Sequence, residues 1–264
     1  MSLLQAILVA IIEGLTEFLP VSSTGHMILA SYIMQIHTIE FVKTFEIVIQ
    51  LGAIMAVVYL YYKRFLVGFS IYLKLGVAFL PTGLIGFLAY KSIKAYLFNP
   101  VTVSVSLITG GVLLIVLDKW SEKKNSAYAD IADISFKDAL KIGFIQCVSM
   151  IPGVSRAAAT IFGGILAGFN RVQAAEFSFL LAIPTMFAAS GLDLLQSYDT
   201  IQADQINLLL VGGAVAFIVA LLAVKAFVSF LTRYGFRHFG YYRIILGCLF
   251  LVYAYYSGMQ LTVD

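Results

Sequence analysis

Six apolar runs recur along this chain of 264 residues, each close to the ~20 residues that cross ~30 Å of hydrocarbon as a helix. They lie at about 45–62, 72–90, 101–118, 171–191, 206–224 and 243–258. Inside hydrocarbon every backbone N–H and C=O must be satisfied by the chain itself, so such runs can only be helices or strands of a closed barrel. Barrel strands alternate polar and apolar residues, and these runs do not. Charged residues are 12% of the sequence, against about 25% in a soluble domain, which is too few to cover a soluble surface. The reading is an all-α polytopic membrane protein.

Two further apolar regions, about 2–36 and 138–168, are broken in the middle. The first breaks at Leu19-Pro20-Val21-Ser22-Ser23, the second at Ile151-Pro152-Gly153-Val154-Ser155-Arg156. Each arm is too short to span comfortably, so both regions read as re-entrant helical hairpins. Non-helical backbone at that depth is tolerated only against protein or a wet cavity. The fold expected is therefore six transmembrane helices plus two re-entrant hairpins in one membrane domain, 1–264.

Loop charge orients it. Lys63 and Arg64, then Lys119, Lys123, Lys124 and Lys137, then Lys225, Arg233, Arg237 and Arg243, fall in three loops that should be cytoplasmic. Asp193, Asp199 and Asp204 mark a loop without Lys or Arg, which should be outside. Counting crossings makes these assignments consistent and brings the hairpins in from opposite faces, although Lys91 and Lys94 then fall outside. Each half is a Pro-broken hairpin followed by three spans, about 1–118 and 138–258. That is an inverted-topology repeat, with a site expected where the broken helices meet. A midplane anion site of this kind also suits a lipid-phosphate transporter or flippase.

The residues at the breaks carry the chemistry. Glu13 and Glu17, four apart, share a helix face. Two carboxylates in a dry site repel unless a cation or proton lies between them, and Mg²⁺ or Ca²⁺ with oxygen ligands would suit. Ser22, Ser23 and Thr24 can start the returning helix, whose free N–H groups form an anion site. His26, three residues after Ser23, could serve it as base, or could merely hydrogen-bond while the serines cap. Ser155 and Arg156 sit at the second break, with Thr160 one turn on. Arginine's fork of donors matches phosphate, or Arg156 pairs with Glu13 or Glu17, and the two can coexist.

Glu46 and Glu176 read as supports for the hairpins, and Gln50 and Gln146 as inter-helix hydrogen bonders. His37 and His238 read as solvated, Trp120 and Tyr241-Tyr242-Arg243 as interfacial anchors, and Cys147 and Cys248 as buried packing residues. The N-terminus has no basic region followed by a small-residue cleavage site, so no cleaved signal peptide is read. The net charge of +3 is spread over loops, which argues against a nucleic-acid partner. Acids for a metal and donors for an anion, within a membrane, point to a lipid carrying phosphate or diphosphate.

At Glu13-Gly-Leu-Thr-Glu17-Phe-Leu-Pro20-Val-Ser-Ser23-Thr-Gly-His26 and Pro152-Gly-Val-Ser155-Arg156…Thr160 the chain resembles the undecaprenyl-diphosphate phosphatase family of bacitracin-resistance proteins. The stretches Thr44-Phe-Glu46…Gln50-Leu-Gly52 and Glu176-Phe-Ser-Phe-Leu-Leu-Ala-Ile-Pro184 match too, so the resemblance covers essentially the whole chain. It implies hydrolysis of undecaprenyl diphosphate to the monophosphate and inorganic phosphate, which recycles a cell-wall lipid carrier. It also implies a divalent cation, the bacterial inner membrane and a site open to the extracytoplasmic face. Carried over, Glu13 and Glu17 hold the metal or assist proton transfer, and Ser23 is the nucleophile with His26 as its base or acid. Arg156, Ser155 and Thr160 hold the diphosphate together with Ser22 and Thr24. The partners expected are a polyprenyl diphosphate and the membrane, with a homodimer as the assembly considered. The family pattern Ser-Arg-Ser-Gly-x-Thr is Ser155-Arg156-Ala157-Ala158-Ala159-Thr160 here. That departure is harmless if Ala158 is simply helical, and alters the phosphate cradle if the position needs φ > 0.

Overall fold

A computed structural model of the chain describes residues 1–66, 68–97, 100–122, 126–197, 202 and 205–256. Ten α-helices occur among them: α1 Leu3–Thr16, α2 Ser23–Ile33, α3 Glu40–Leu66, α4 Ser70–Leu97, α5 Pro100–Ser121, α6 Phe136–Gln146, α7 Arg156–Ala167, α8 Arg171–Ser197, α9 Ile206–Tyr234 and α10 Arg237–Tyr256. Six of them, α3, α4, α5, α8, α9 and α10, are long and apolar enough to cross a membrane, as the sequence suggests. Their ends run past the apolar runs, because a helix continues through its polar interfacial turns. At ~1.5 Å per residue the 14 residues of α1 reach only about 21 Å, and the 11 of α6 about 16 Å.

The helix pairs α1–α2 and α6–α7 are each joined through a break. In the first, Val21 N–H closes a tight turn onto the Leu19 carbonyl at 2.8 Å. Ser22 then takes φ 71° and caps α2 by accepting the Gly25 N–H at 3.4 Å. In the second, a 3₁₀ turn over Cys147–Met150 precedes Pro152, and Gly153 takes φ 88°. Ser155 takes φ 72° and caps α7 by accepting the Ala158 N–H at 3.2 Å. Both breaks thus end on a serine in the left-handed region, a conformation that costs of order 1–3 kcal/mol and clusters at functional sites.

Contacts at the helix ends sort the chain into two faces. Arg64, ending α3, pairs with Asp130 at 2.7 Å and with Glu176 at the start of α8 at 2.6 Å. Arg171 pairs with Asp118 at the end of α5 at 2.8 Å, and Asp118 also accepts the Phe236 N–H of the α9–α10 turn at 2.7 Å. The described parts of the three cationic loops therefore share one face. On it lie both ends of α6–α7, since Ala127 N–H donates to the Gly168 carbonyl at 2.8 Å. The ends of α1–α2 lie together at the opposite face, where the Gln5 amide donates to the Met34 carbonyl at 3.3 Å beside the start of α3. Lys123, Lys124, Asp199 and Asp204, and the side chains of Lys91 and Lys94, lie outside the described residues.

Small residues let the helices close up. A Cβ on Gly52 of α3 would stand 2.9 Å from Cα of Gly213 in α9, and one on Gly111 of α5 would stand 2.7 Å from the Gly240 carbonyl oxygen in α10. Within lipid, where tails are as apolar as leucine, such close backbone packing is a main driving force. Bulky side chains face outward instead: Leu80, Phe87, Leu210 and Tyr255 are all exposed. Cys248 is exposed among them, contrary to the packing role expected, while Cys147 is half-buried and donates to the Gly143 carbonyl.

Candidate active site between the two helix breaks

The two breaks meet in the interior and enclose a cavity of about 130 Å³ lined by Glu17, Ser22, Ser23, Thr24, Gln50, Ser149, Ser155 and Arg156, among others. Eight of its eleven lining residues are polar or charged, and Ile151, Pro152 and Gly153 of the second break complete it. Through Thr24, Gln50 and Ser149 it adjoins a wider, mostly apolar cavity of about 580 Å³. That second space is lined by Lys43, Glu46 and Gln50 of α3 and by Asp193 near the end of α8, and so lies toward the face opposite the cationic loops.

Glu17 organises the small cavity. Its Oε2 accepts a very short hydrogen bond from the Ser23 hydroxyl. Its Oε1 accepts from Arg156 Nη2 at 3.0 Å, in an ion pair only 12% and 10% exposed. The guanidinium also donates to the Ser178 carbonyl at 3.1 Å and lies over the Phe18 ring, while its Nε is buried without a partner. Of the pairings open to Arg156, then, Glu17 is the one made. Thr160 does not reach the cavity: its hydroxyl bonds back to the Arg156 carbonyl at 2.9 Å and to Ser178 Oγ at 2.6 Å, holding α7 to α8.

Glu13 lies one turn behind Glu17, fully buried, and neither carboxyl oxygen has a hydrogen-bond donor. A charge so placed needs a proton or a cation beside it. Among the described residues no group of three or more His, Cys, Asp and Glu surrounds one point. Two carboxylates with hydroxyl and amide oxygens nearby are the donor set that a hard divalent ion uses when it keeps waters and takes the rest of its shell from a phosphate. The donorless carboxyl of Glu13 is a group left open to such an ion, while both oxygens of Glu17 are engaged by Ser23 and Arg156.

His26 is not set against the Ser23 hydroxyl, as its spacing had suggested. Its Nδ1 lies 2.7 Å from the Ser22 carbonyl and its Nε2 2.6 Å from the Tyr242 hydroxyl. A carbonyl only accepts, so Nδ1 carries a proton, and in the neutral ring Nε2 accepts from Tyr242. Both nitrogens are engaged away from the cavity, and Glu17 occupies the position beside Ser23 where a base would stand. Spacing places His26 on the helix but not its ring, because the ring follows whatever partner α10 presents.

Several supporting residues are also placed. Glu46 accepts from Ser31 of α2 at 3.1 Å, as a support for the first break should. Glu176 does not support the second: it pairs with Arg64 on the cationic face. Gln146 bridges helices through Thr82 and Thr185, whereas Gln50, bonded to Ser190 at 3.3 Å, also faces both cavities. His37 is stacked on Tyr32 and lines the wide cavity, so it is not a free loop residue. Ala158 is helical with a bonded N–H, and the left-handed residue is Ser155, so the glycine missing from the second motif is not required for backbone geometry.

Arg243 is the largest correction. Placed by sequence in a loop, it is fully buried in α10 and touches both breaks. Its neighbour Tyr242, expected as a membrane-surface anchor, is His26's partner. The available signal was an arginine two turns into a 20-residue apolar helix, hidden by the basic residues that precede it.

The family described as bacitracin resistance protein BacA matches residues 6–249. A Bdellovibrio bacteriovorus protein named undecaprenyl-diphosphatase is 52% identical over 97% of each chain. Proteins of the same name from Wolinella succinogenes and Flavobacterium johnsoniae are also 52% identical, over 96% and 97% of this chain and 98% and 97% of theirs. The family match spans both breaks and runs into the last long helix, and this chain belongs to the bacitracin resistance protein BacA family.

Proposed function

We propose that this chain is an integral-membrane phosphatase that hydrolyses undecaprenyl diphosphate to undecaprenyl phosphate and inorganic phosphate, the activity named for its relatives. The observation that carries the reading is the Ser23–Glu17–Arg156 arrangement: a hydroxyl held by a carboxylate, beside a guanidinium, in a polar cavity. A carrier needs no such nucleophile, so the contact favours hydrolysis over transport.

The lipid tail lies along the wide apolar cavity and the diphosphate enters the small one. Arg156 and the free first N–H groups of α2 and α7 bind the phosphate oxygens, since helix N-termini favour anions. Ser22, Thr24 and Ser155 add hydroxyl donors from the same two turns. Phosphoryl transfer needs mainly this positioning and charge stabilisation. Glu17 takes the Ser23 proton as the oxygen attacks the terminal phosphorus. The Ser23 Oγ–P bond forms, the bond to the bridging oxygen breaks, and undecaprenyl phosphate leaves. Glu17 passes that proton to the departing phosphate oxygen; water then attacks the phosphoserine, and Glu17 takes the water's proton and returns it to Ser23 Oγ as the Oγ–P bond breaks and inorganic phosphate leaves. Glu13 and Glu17 would hold a divalent cation, Mg²⁺ or Ca²⁺, which when bound supplies charge neutralisation for the phosphate oxygens. His26 orients the Ser22 carbonyl, and Thr160 keeps α7 seated.

The two broken helix pairs enter the bilayer from opposite faces as re-entrant hairpins, in an inverted-topology repeat of about 1–118 and 138–258. Three packing correspondences support this: α1 lies on α9 as α6 lies on α4, α3 meets α8, and α5 meets α10. The positive loops support a cytoplasmic cationic face in an inner membrane, with the wide cavity opening to the outside. A homodimer is the assembly to test. The direct assay is phosphate release from a long-chain prenyl diphosphate by detergent-purified protein, with Mg²⁺, Ca²⁺ or chelator, beside Glu17→Ala. Cation-dependent release that Glu17→Ala abolishes is expected, and no release under any condition would refute the reading.

A further inference from the structure

Arg243 has no carboxylate partner among its hydrogen bonds, yet all five of its N–H donors are used. Nε donates to the Leu107 carbonyl at 3.3 Å and Nη2 to the Ser106 carbonyl at 3.0 Å, both on α5. Nη1 donates to the Pro20 carbonyl at 3.1 Å, in the first break. The second break supplies the Gly153 carbonyl at 2.9 Å and the Val154 carbonyl at 3.0 Å. The guanidinium fits because Gly110 has no side chain: a Cβ there would stand 2.8 Å from Arg243 Cζ.

The carbonyls it holds are not arbitrary. Pro20 lies two residues before Ser22, and Gly153 and Val154 lie two and one before Ser155. Ser22 and Ser155 are the two left-handed serines that cap the helices bearing Ser23 and Arg156. A single rigid, planar group thus grips both turns just upstream of the residues that must face one diphosphate. Arg243 itself does not line the cavity.

We infer that Arg243 is a positioning residue that clamps the two helix breaks at the separation the reaction needs. The inference rests on the hydrolytic reading for its effect on rate, but the clamp itself is a statement about geometry. Lysine keeps the charge, yet its compact ammonium has three donors at one point and cannot reach five carbonyls on three segments. Misplacing reacting groups by about 1 Å can cost on the order of 10²-fold in rate. Arg243→Lys should therefore lower kcat by about 30–100-fold while KM for the lipid stays within about threefold, because the tail cavity is untouched. Gly110→Ala, which displaces the guanidinium without removing it, should do the same.

The test pairs kinetics with a distance. Nitroxides at Thr24, in the first turn of α2, and at Ser149, in the 3₁₀ turn of the second break, report the separation of the breaks in protein whose Cys147 and Cys248 are replaced by Ser. A single narrow distance is expected with Arg243 present, and a longer or broader distribution with Arg243→Lys or Gly110→Ala. Arg171→Lys, which loosens a pin on the cationic face, is the control: its melting temperature falls but kcat per folded molecule holds. Unchanged distances in both variants would overturn the clamp. So would a loss of activity that merely follows the folded fraction, as in the control. If Arg243→Lys does not fold, Gly110→Ala decides. Wild-type protein that releases no phosphate would sink the hydrolytic reading, and the distances would still judge the clamp.

Discussion

Glu13→Leu should stabilise the protein in chelator, and that advantage should close or reverse once a divalent cation is present. Both Glu13 oxygens are buried without a donor. Leaving a buried polar group unsatisfied costs about 1–3 kcal/mol, and an apolar group of similar shape removes that cost. Without metal the variant should therefore gain about 1–3 kcal/mol, roughly 2–4 °C per kcal/mol for a chain of this size. With cation at about 100 times its dissociation constant, wild type gains ~2.7 kcal/mol from binding, and the variant loses most of this gain. The order of the two melting temperatures should then close or invert. Fluorescence of the single tryptophan, Trp120, during a thermal ramp in detergent reads both conditions. A lower melting temperature for Glu13→Leu in chelator would refute the account of an unsatisfied carboxyl. An identical cation-induced shift in both proteins would refute the assignment of Glu13 to a metal.

Ser23→Ala should reduce phosphate release by on the order of 10³-fold or more, and rapid acid quenching of wild type with labelled substrate should trap phosphate on Ser23. Tyr242→Phe removes one hydrogen bond to His26, worth about 0.5–1.5 kcal/mol, so activity should fall by about tenfold or less with the pH–rate profile unchanged. A shifted or lost acidic limb in that variant would return His26 to the role of base. On the cationic face, the Lys141 ammonium, with the Ser135 and Tyr128 hydroxyls, holds the Asp138 carboxyl down at about 2. A carboxyl lowered on folding contributes stability above its ordinary value near 3.8, and that contribution is lost as pH falls toward 2. Asp138→Asn should thus melt below wild type at neutral pH, with the difference vanishing between about pH 4 and pH 2 in a pH series of melting temperatures.

Much of the architecture follows from sequence because lipid imposes a single local rule. A run of some 20 apolar residues must be a helix, so all six long helices could be read one at a time. The two breaks were legible for a similar reason: Pro20 and Pro152 lack an N–H, and the arms beside them are too short to cross. The motif also named most of the cavity, including Glu17, Ser23 and Arg156, since ionisable and hydroxyl groups are costly at that depth without a task.

Partnership is where sequence stopped. The spacing of Ser23 and His26 fixes their helix positions, but the hydroxyl turned to Glu17 just past α1 and the imidazole to Tyr242 on α10, more than 200 residues away. Thr160 followed the motif yet spent its hydroxyl on Ser178. Arg243 sits in the chain next to loop arginines, and only the packing of α5 against α10, with Gly110 leaving room, buried its five donors among carbonyls from three segments. The chain by itself determined which segments are helical, where they break and which residue types reach the breaks, because those follow from local hydropathy and backbone chemistry. Which hydroxyl met which carboxylate, and what holds the two breaks together, was decided by the tertiary structure, because a side chain's hydrogen bonds depend on whichever helix packs across from it.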